Sequence, residues 1–136
     1  MNEGGKANAL RELSNAGFRV PEFFVVMPDE GDGIEKRFDE LFDRKTQVAV
    51  RSSAMGEDGI EHSFAGQFDT FLHVSRGDVA DRCQDVWKSG SSERVESYEA
   101  ERGATSSRPA AIVQRMIDPV AAGVAFSADT VSGRRN

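Results

Sequence analysis

Short apolar runs alternate along this chain with segments whose apolar residues return every three or four positions, and that alternation most constrains the fold. Val20-Pro21-Glu22-Phe23-Phe24-Val25-Val26 is apolar and β-branched at its end, which predicts a strand closed by Pro28. Val48-Ala49-Val50 predicts a short buried strand running straight into Arg51-Ser52-Ser53. Asp69 to Val74, Ala110 to Ile117 and Gly123 to Ala128 read as further strands, with Pro119 breaking the second of these. Between them lie helical patterns. Residues 5 to 16 put Ala9, Leu10, Leu13 and Ala16 on one stripe, with Gly17 where a left-handed C-cap belongs. Asp29 to Asp43 holds seven acids and two bases, with Ile34, Phe38, Leu41 and Phe42 at i, i+4, i+7 and i+8. That is an amphipathic helix with an acidic outer face. Asp78 caps a second amphipathic helix carrying Val79, Cys83, Val86 and Trp87. A polar helix anchored by Val95 and Tyr98 runs to about Arg102, and Gly103 to Pro109 is a flexible connector. The order is mixed, of the α+β class. The last strand has no return partner before the hairpin turn of Thr130 to Asn136, which suggests a truncated chain.

Composition narrows the function. A chain of 136 residues has room for one domain, or one and the beginning of a second. Hydrophobic residues are 38% and charged residues 29%, so it can bury a core. With 23 acids against 17 bases the net charge is −6, which excludes a general nucleic-acid binder, since that needs a basic field. No apolar run approaches the roughly 20 residues that span a bilayer. Met1 to Lys6 lacks the apolar core of a secretory signal. Cys83 is alone and can form neither an internal disulfide nor a thiolate zinc cage. The expectation is a soluble, acidic, cytoplasmic protein with no membrane or nucleic-acid partner.

Three segments carry chemistry. Gly4-Gly5-Lys6 precedes a helix, where exposed N–H groups favour an anion and a lysine reaches a phosphate as a mobile point charge. The bland alternative is a tail with a surface lysine. Arg51 follows a buried strand, so it is expected at the sheet edge, its planar fork free to grip two phosphate oxygens. Ser52 and Ser53 add hydroxyl donors; a structural salt bridge for Arg51 is the rival. Ser63-Phe64-Ala65-Gly66-Gln67-Phe68-Asp69-Thr70 lets backbone amides approach a ligand around Gly66, as a phosphate-cradling nest does, or else is a plain hairpin connection. Its glycine spacing fits neither a Walker loop nor a dinucleotide fingerprint. His62 and His73 have no partner at metal-ligand spacing, Cys83 and Trp87 read as core, and the acids of 29 to 43 as a solvated face. Asp129 reads as a hairpin cap, and Arg134 and Arg135 as a solvated end.

Taken in order, Gly4-Gly5-Lys6, Val20 to Val25, Val50-Arg51-Ser52-Ser53-Ala54, Glu57-Asp58, Ser63 to Leu72 and Ile112-Val113-Gln114-Arg115-Met116 resemble a known pattern. It is the N-terminal nucleotide-binding domain of the phosphoenolpyruvate synthase and pyruvate phosphate dikinase family, which rifampin phosphotransferases share. Ala122 to Asp129 is similar to the strand after that family's adenine-binding hinge. The resemblance implies an ATP-grasp fold, with an N-terminal lobe over 1–117 and the start of a second, incomplete lobe over 118–136. By motif position, Lys6 and Arg51 hold the phosphates of ATP, with Arg51 the catalytic residue. Gly66, Gln67 and Thr70 belong to the glycine-rich loop above them. Gln114, Arg115, Met116 and Ile117 form the hinge whose backbone meets the adenine edge.

The implied activity is a dikinase-type phosphotransferase. ATP gives a phosphoryl group to a histidine on another domain, which passes it to pyruvate or a similar acceptor. Phosphoryl transfer is mostly positioning and electrostatic stabilisation, and two cations with backbone amides suit it. The interval from Lys6 to Arg51 is shorter than the family pattern, which implies a trimmed helical insert. No metal ligand is assigned here, because the Mg²⁺-binding residues belong to a downstream lobe. The phosphohistidine and acceptor domains are expected in the full enzyme or a partner chain, so these residues alone are expected to be inactive. The rival reading is a non-catalytic nucleotide-binding or partner-associating module, or an inactive fragment.

Overall fold

The computed structural model describes residues 3–54, 70–89 and 109–123. Within them the chain forms α1 (Gly5–Asn15), β1 (Phe23–Val26), α2 (Ile34–Leu41), β2 (Val48–Ser53) and β3 (Thr70–Val74). A 3₁₀ turn (Arg76–Asp78) then leads into α3 (Val79–Ser89), and β4 is Ala110–Arg115. The polar helix running to Arg102, the Gly66 loop and the hairpin turn at 130 to 136 lie outside the described residues, as does the strand expected over 123 to 128 beyond its first residue.

The four strands make one sheet in the order β1-β4-β2-β3, and every neighbouring pair is antiparallel. Helices on an antiparallel sheet make this an α+β arrangement. β4 is buried from Ala110 through Gln114, because it has a strand on each side and helices above and below.

Successive side chains along a strand point to opposite faces. Phe24, Val26, Val48, Val50, Val74, Ala111 and Val113 share one face. Ile34 and Phe38 of α2, Phe42 just after it, and Val79, Cys83, Val86 and Trp87 of α3 close over them. Phe38 meets Phe42 edge-on with ring centroids 5.1 Å apart. Cys83 is fully buried, and burial pushes its thiol up to about 12, so it is inert. On the opposite face Val25, Ala110 and Ile112 pack under Ala7 of α1, with Leu10, Phe23 and Met27 at the margin.

Several boundaries differ from the sequence expectation. α2 begins at Ile34, not Asp29, because Gly33 stands before it in the left-handed region at φ +89°. Phe42 is extended, yet it remains in the core. β1 starts only at Phe23, beyond Pro21, which has no N–H for a ladder. β2 runs on through Ser53, since β4 supplies pairing partners as far as Ala110. The predicted stripe on α1 is rotated: Ala7 and Leu10 face the sheet, while Leu13 is 45% exposed and Ala9 and Ala16 face water. The C-terminus of α1 follows expectation. Gly17 sits at φ +85°, with its N–H donating to Ser14 O and the Phe18 N–H donating to Leu13 O.

Candidate functional site

Arg51 is not at the edge of the sheet. It lies within β2, flanked by Thr70 of β3 on one side and Ile112 of β4 on the other. It shares the α1 face with Ile112, while its neighbour Val50 faces the larger core. Two pairing rows away, on the same face, Ala49 stands opposite Gln114, which stands opposite Phe23. Gln114 is 8% exposed, a polar side chain following the apolar run from Ala110 to Val113. Its Oε1 accepts from Arg51 Nη1 at 3.5 Å, and its Nε2 donates to the Pro21 carbonyl at 3.4 Å. Both contacts are long, so the guanidinium is guided and not saturated. Among the described residues no carboxylate pairs with Arg51. On β4, by contrast, Arg115 Nε donates to Glu22 at 2.7 Å, and the Arg76 fork grips Asp39 at 2.6 and 2.7 Å. The salt-bridge alternative for Arg51 therefore finds no partner among the described residues.

Lys6 lies in the first turn of α1, and that turn is seated on the end of β2. The Gly5 N–H donates to Ala54 O at 3.1 Å, and the Ala7 N–H donates to Ser53 Oγ at 3.1 Å. Gly4, at φ +88°, lets the backbones meet: a Cβ there would lie 2.4 Å from Ser53 O. Ser53 is two residues beyond Arg51 on the same strand face, about 7 Å along it. The Lys6-bearing turn and Arg51 thus occupy one face and one end of the sheet. The serines are not open to a ligand: Ser53, whose Oγ accepts from the Ala7 N–H, is 2% exposed and Ser52 is 1% exposed.

The segment expected as a hinge begins inside β4 and leaves it after Arg115. The Arg115 N–H donates to Glu22 O at 2.9 Å and the Met116 N–H to Gln47 O at 3.0 Å, so two hinge donors are already engaged. The Arg115 guanidinium lies over the Phe42 ring, 5.4 Å from its centroid. Ile117 is 53% exposed. A cavity of about 770 Å³ opens here, lined among others by Gln47, His73, Arg115, Met116 and Ile117. Gln47, just before β2 and accepting from the Met116 N–H, is four residues from Arg51, about 13 Å of extended chain. The segment expected as a hinge and Arg51 thus lie toward opposite ends of β2.

Thr70 is exposed beside Arg51 at the start of β3, whereas Gly66, Gln67 and His62 lie outside the described residues. His73 occupies the irregularity in the β2–β3 ladder at φ +54°, its Nδ1 3.1 Å from Gln47 Oε1. Sequence reasoning named Ser53 and Gln114 but missed the part each plays here. Ser53 acts as a cap supplied across 46 positions of chain, for which no local signal exists. The Gln114 side chain reaches Arg51, and its signal was a polar residue amid the apolar run from Ala110 to Val113.

Residues 27–136 match the family described as pyruvate phosphate dikinase, AMP/ATP-binding domain, and the chain belongs to that family. It is 48% identical, over 98% of its length, to a prodigiosin synthesizing transferase of Serratia marcescens. It is 40% identical over 82% of its length to a probable phosphoenolpyruvate synthase of Pyrococcus horikoshii. To a rifampicin phosphotransferase of Streptomyces sviceus it is 38% identical over 93% of its length. The chain spans 19%, 15% and 15% of those relatives, respectively. The first alignment covers 170 positions, more than this chain has residues, so that relative carries stretches absent here. Among the described residues no helix is long and apolar enough to cross a membrane.

Proposed function

We propose that this chain is the nucleotide-binding part of a dikinase-type phosphotransferase, with an ATP-grasp N-terminal lobe over 1–117 and a second lobe opening at 118. ATP lies along the α1 face of the sheet, its adenine against Gln114 to Ile117 and its phosphates between Lys6 and Arg51. Thr70, beside Arg51, joins Gly66 and Gln67 in the loop over the phosphates. The donor set fits the anionic end of a nucleotide. Arg51 offers a planar fork that no carboxylate engages among the described residues, and Lys6 adds a point charge on the α1 turn seated at the end of the same strand. Bound Mg²⁺ would neutralise developing charge on the transferring phosphate, held by ligands outside this stretch of chain. In the whole protein, working in the cytoplasm, a histidine on another domain receives the phosphoryl group and passes it to pyruvate or a similar acceptor.

The observation carrying this reading is Arg51 itself: a half-buried guanidinium in a central strand, steered by a neutral amide. Replacing it tests the reading directly. In the full-length protein, Arg51→Ala should slow ATP-dependent phosphoryl transfer on the order of a hundredfold or more, as removal of a preorganised charge does. An unchanged rate overturns the assignment.

A further inference from the structure

We infer that Ser53 and Gly4 are positioning residues for nucleotide binding, which they serve by fixing Lys6 relative to Arg51; the inference rests on the reading of Lys6 as a phosphate ligand given above. The two residues flanking Lys6 in sequence, Gly5 and Ala7, both donate their N–H groups to the end of β2. Lys6 is therefore held from both sides by the strand that carries Arg51. One of the acceptors is a side chain, Ser53 Oγ, on a residue only 2% exposed. The other is the Ala54 carbonyl. Gly4 makes the approach possible, because any Cβ there would overlap the Ser53 carbonyl.

Besides these bonds, α1 meets the sheet through Ala7, Leu10 and the Arg11 guanidinium over the Phe23 ring. Beyond Leu10 every residue of α1 is exposed, and Ala7 is its one buried side chain. Without the Ser53 hydroxyl the Ala7 N–H would lose its acceptor in a buried setting, and α1 would be free to shift on the sheet. A cation displaced by about 1 Å from its ligand costs much of its effect. The capping serine thus acts at a distance, through the lysine.

A double-mutant cycle on Mg·ATP affinity in the full-length protein separates this role from a merely structural one. Calorimetry gives the affinities, and thermal melts confirm that each variant is folded. Lys6→Ala should weaken ATP roughly tenfold or more, and Ser53→Ala roughly fivefold, a coupling of ordinary size for residues linked through a shared backbone shift. In the Lys6→Ala background, Ser53→Ala should cost less than about twofold, since the group it positions is gone. Ser53→Thr, which keeps the hydroxyl, should restore binding. If Ser53→Ala melts the chain, Ser53→Cys offers the same cycle with a weaker acceptor of similar size. Equal losses in both backgrounds overturn the inference and leave Ser53 as a stability residue. So does full affinity in a folded Ser53→Ala whose Lys6→Ala counterpart binds weakly. Full affinity in Lys6→Ala instead overturns the reading of Lys6.

Discussion

The α2/α3 face of the sheet and its α1 face are made by alternate residues of the same strands, yet they do different work. On the first, Phe38, Phe42, Val86 and Trp87 cover a buried apolar surface, and guanidinium groups such as Arg37 over Phe24 and Arg115 over Phe42 meet it only through ring faces. On the second, α1 covers Val25, Ala110 and Ile112 with little more than Ala7 and Leu10, and neighbouring positions hold Arg51, Gln114 and Ser53. Val50 and Arg51 are adjacent in sequence and lie on opposite faces. A slip of one residue in β2 would bury the guanidinium in the core and expose the valine. The difference teaches a division of labour: stability is concentrated on one side, so the other can keep polar groups only partly satisfied.

The sharpest way to break that contrast is to cut into each face and measure both stability and binding. Phe38→Ala removes a fully buried ring and should cost about 3–5 kcal/mol in urea unfolding. That is a large part of the roughly 5–15 kcal/mol a domain has in total. Arg51→Ala should change the same unfolding curve by less than about 1 kcal/mol while abolishing most nucleotide affinity. An Arg51 variant as unstable as the Phe38 variant would mean that both faces are structural.

Two glycines sharpen the comparison at smaller scale. Gly4 and Gly33 have nearly the same positive φ, +88° and +89°, and precede α1 and α2 respectively. Nothing lies within 4 Å of a Cβ built at Gly33, so Gly33→Ala should cost only the conformational penalty, about 1–2 kcal/mol. Gly4→Ala adds an overlap with the Ser53 backbone that cannot be relieved without moving α1, for about 2–4 kcal/mol in total. Thermal melts should rank the two in that order. Only the Gly4 variant should also weaken ATP binding.

The α2/α3 face was the more legible of the two in the sequence. Val79, Cys83, Val86 and Trp87 repeat at helical spacing, and all four are buried, because an amphipathic period needs only a local pattern. On α1 the same reasoning chose the wrong stripe. The helix rests on the sheet through its first turns, and its orientation is set by Ser53 and Ala54, some 46 residues downstream. Arg51 was legible as a residue and misread in position. The strand does not end at Val50, because its partners on β3 and β4 continue the ladder, and partners distant in sequence are invisible to a local reading. Resemblance supplied the family, while the contacts around Arg51 and the Lys6-bearing turn come only from tertiary packing.

The smallest expected effect tests whether charge on the helical side is as separate from the candidate site as the layering suggests. Arg76, in the turn before α3, donates to both carboxylate oxygens of Asp39 on α2 and also meets Glu35. Hydrogen bonds from Arg76, aided by its charge and that of Arg44, hold the Asp39 carboxyl below its ordinary value near 3.8. A carboxyl whose folded value lies below its unfolded one favours the fold above the unfolded value. That contribution fades as pH falls through the folded value. In Arg76→Ala the Asp39 carboxyl, followed by NMR, should titrate at higher pH, and the acid limb of the stability curve should flatten slightly. Nucleotide affinity at neutral pH should stay as it was, because Arg76 and Arg51 are separated by the sheet and its larger core. A fall in ATP affinity in this variant would show that the two layers communicate, and the division of labour drawn from Val50 and Arg51 would fail.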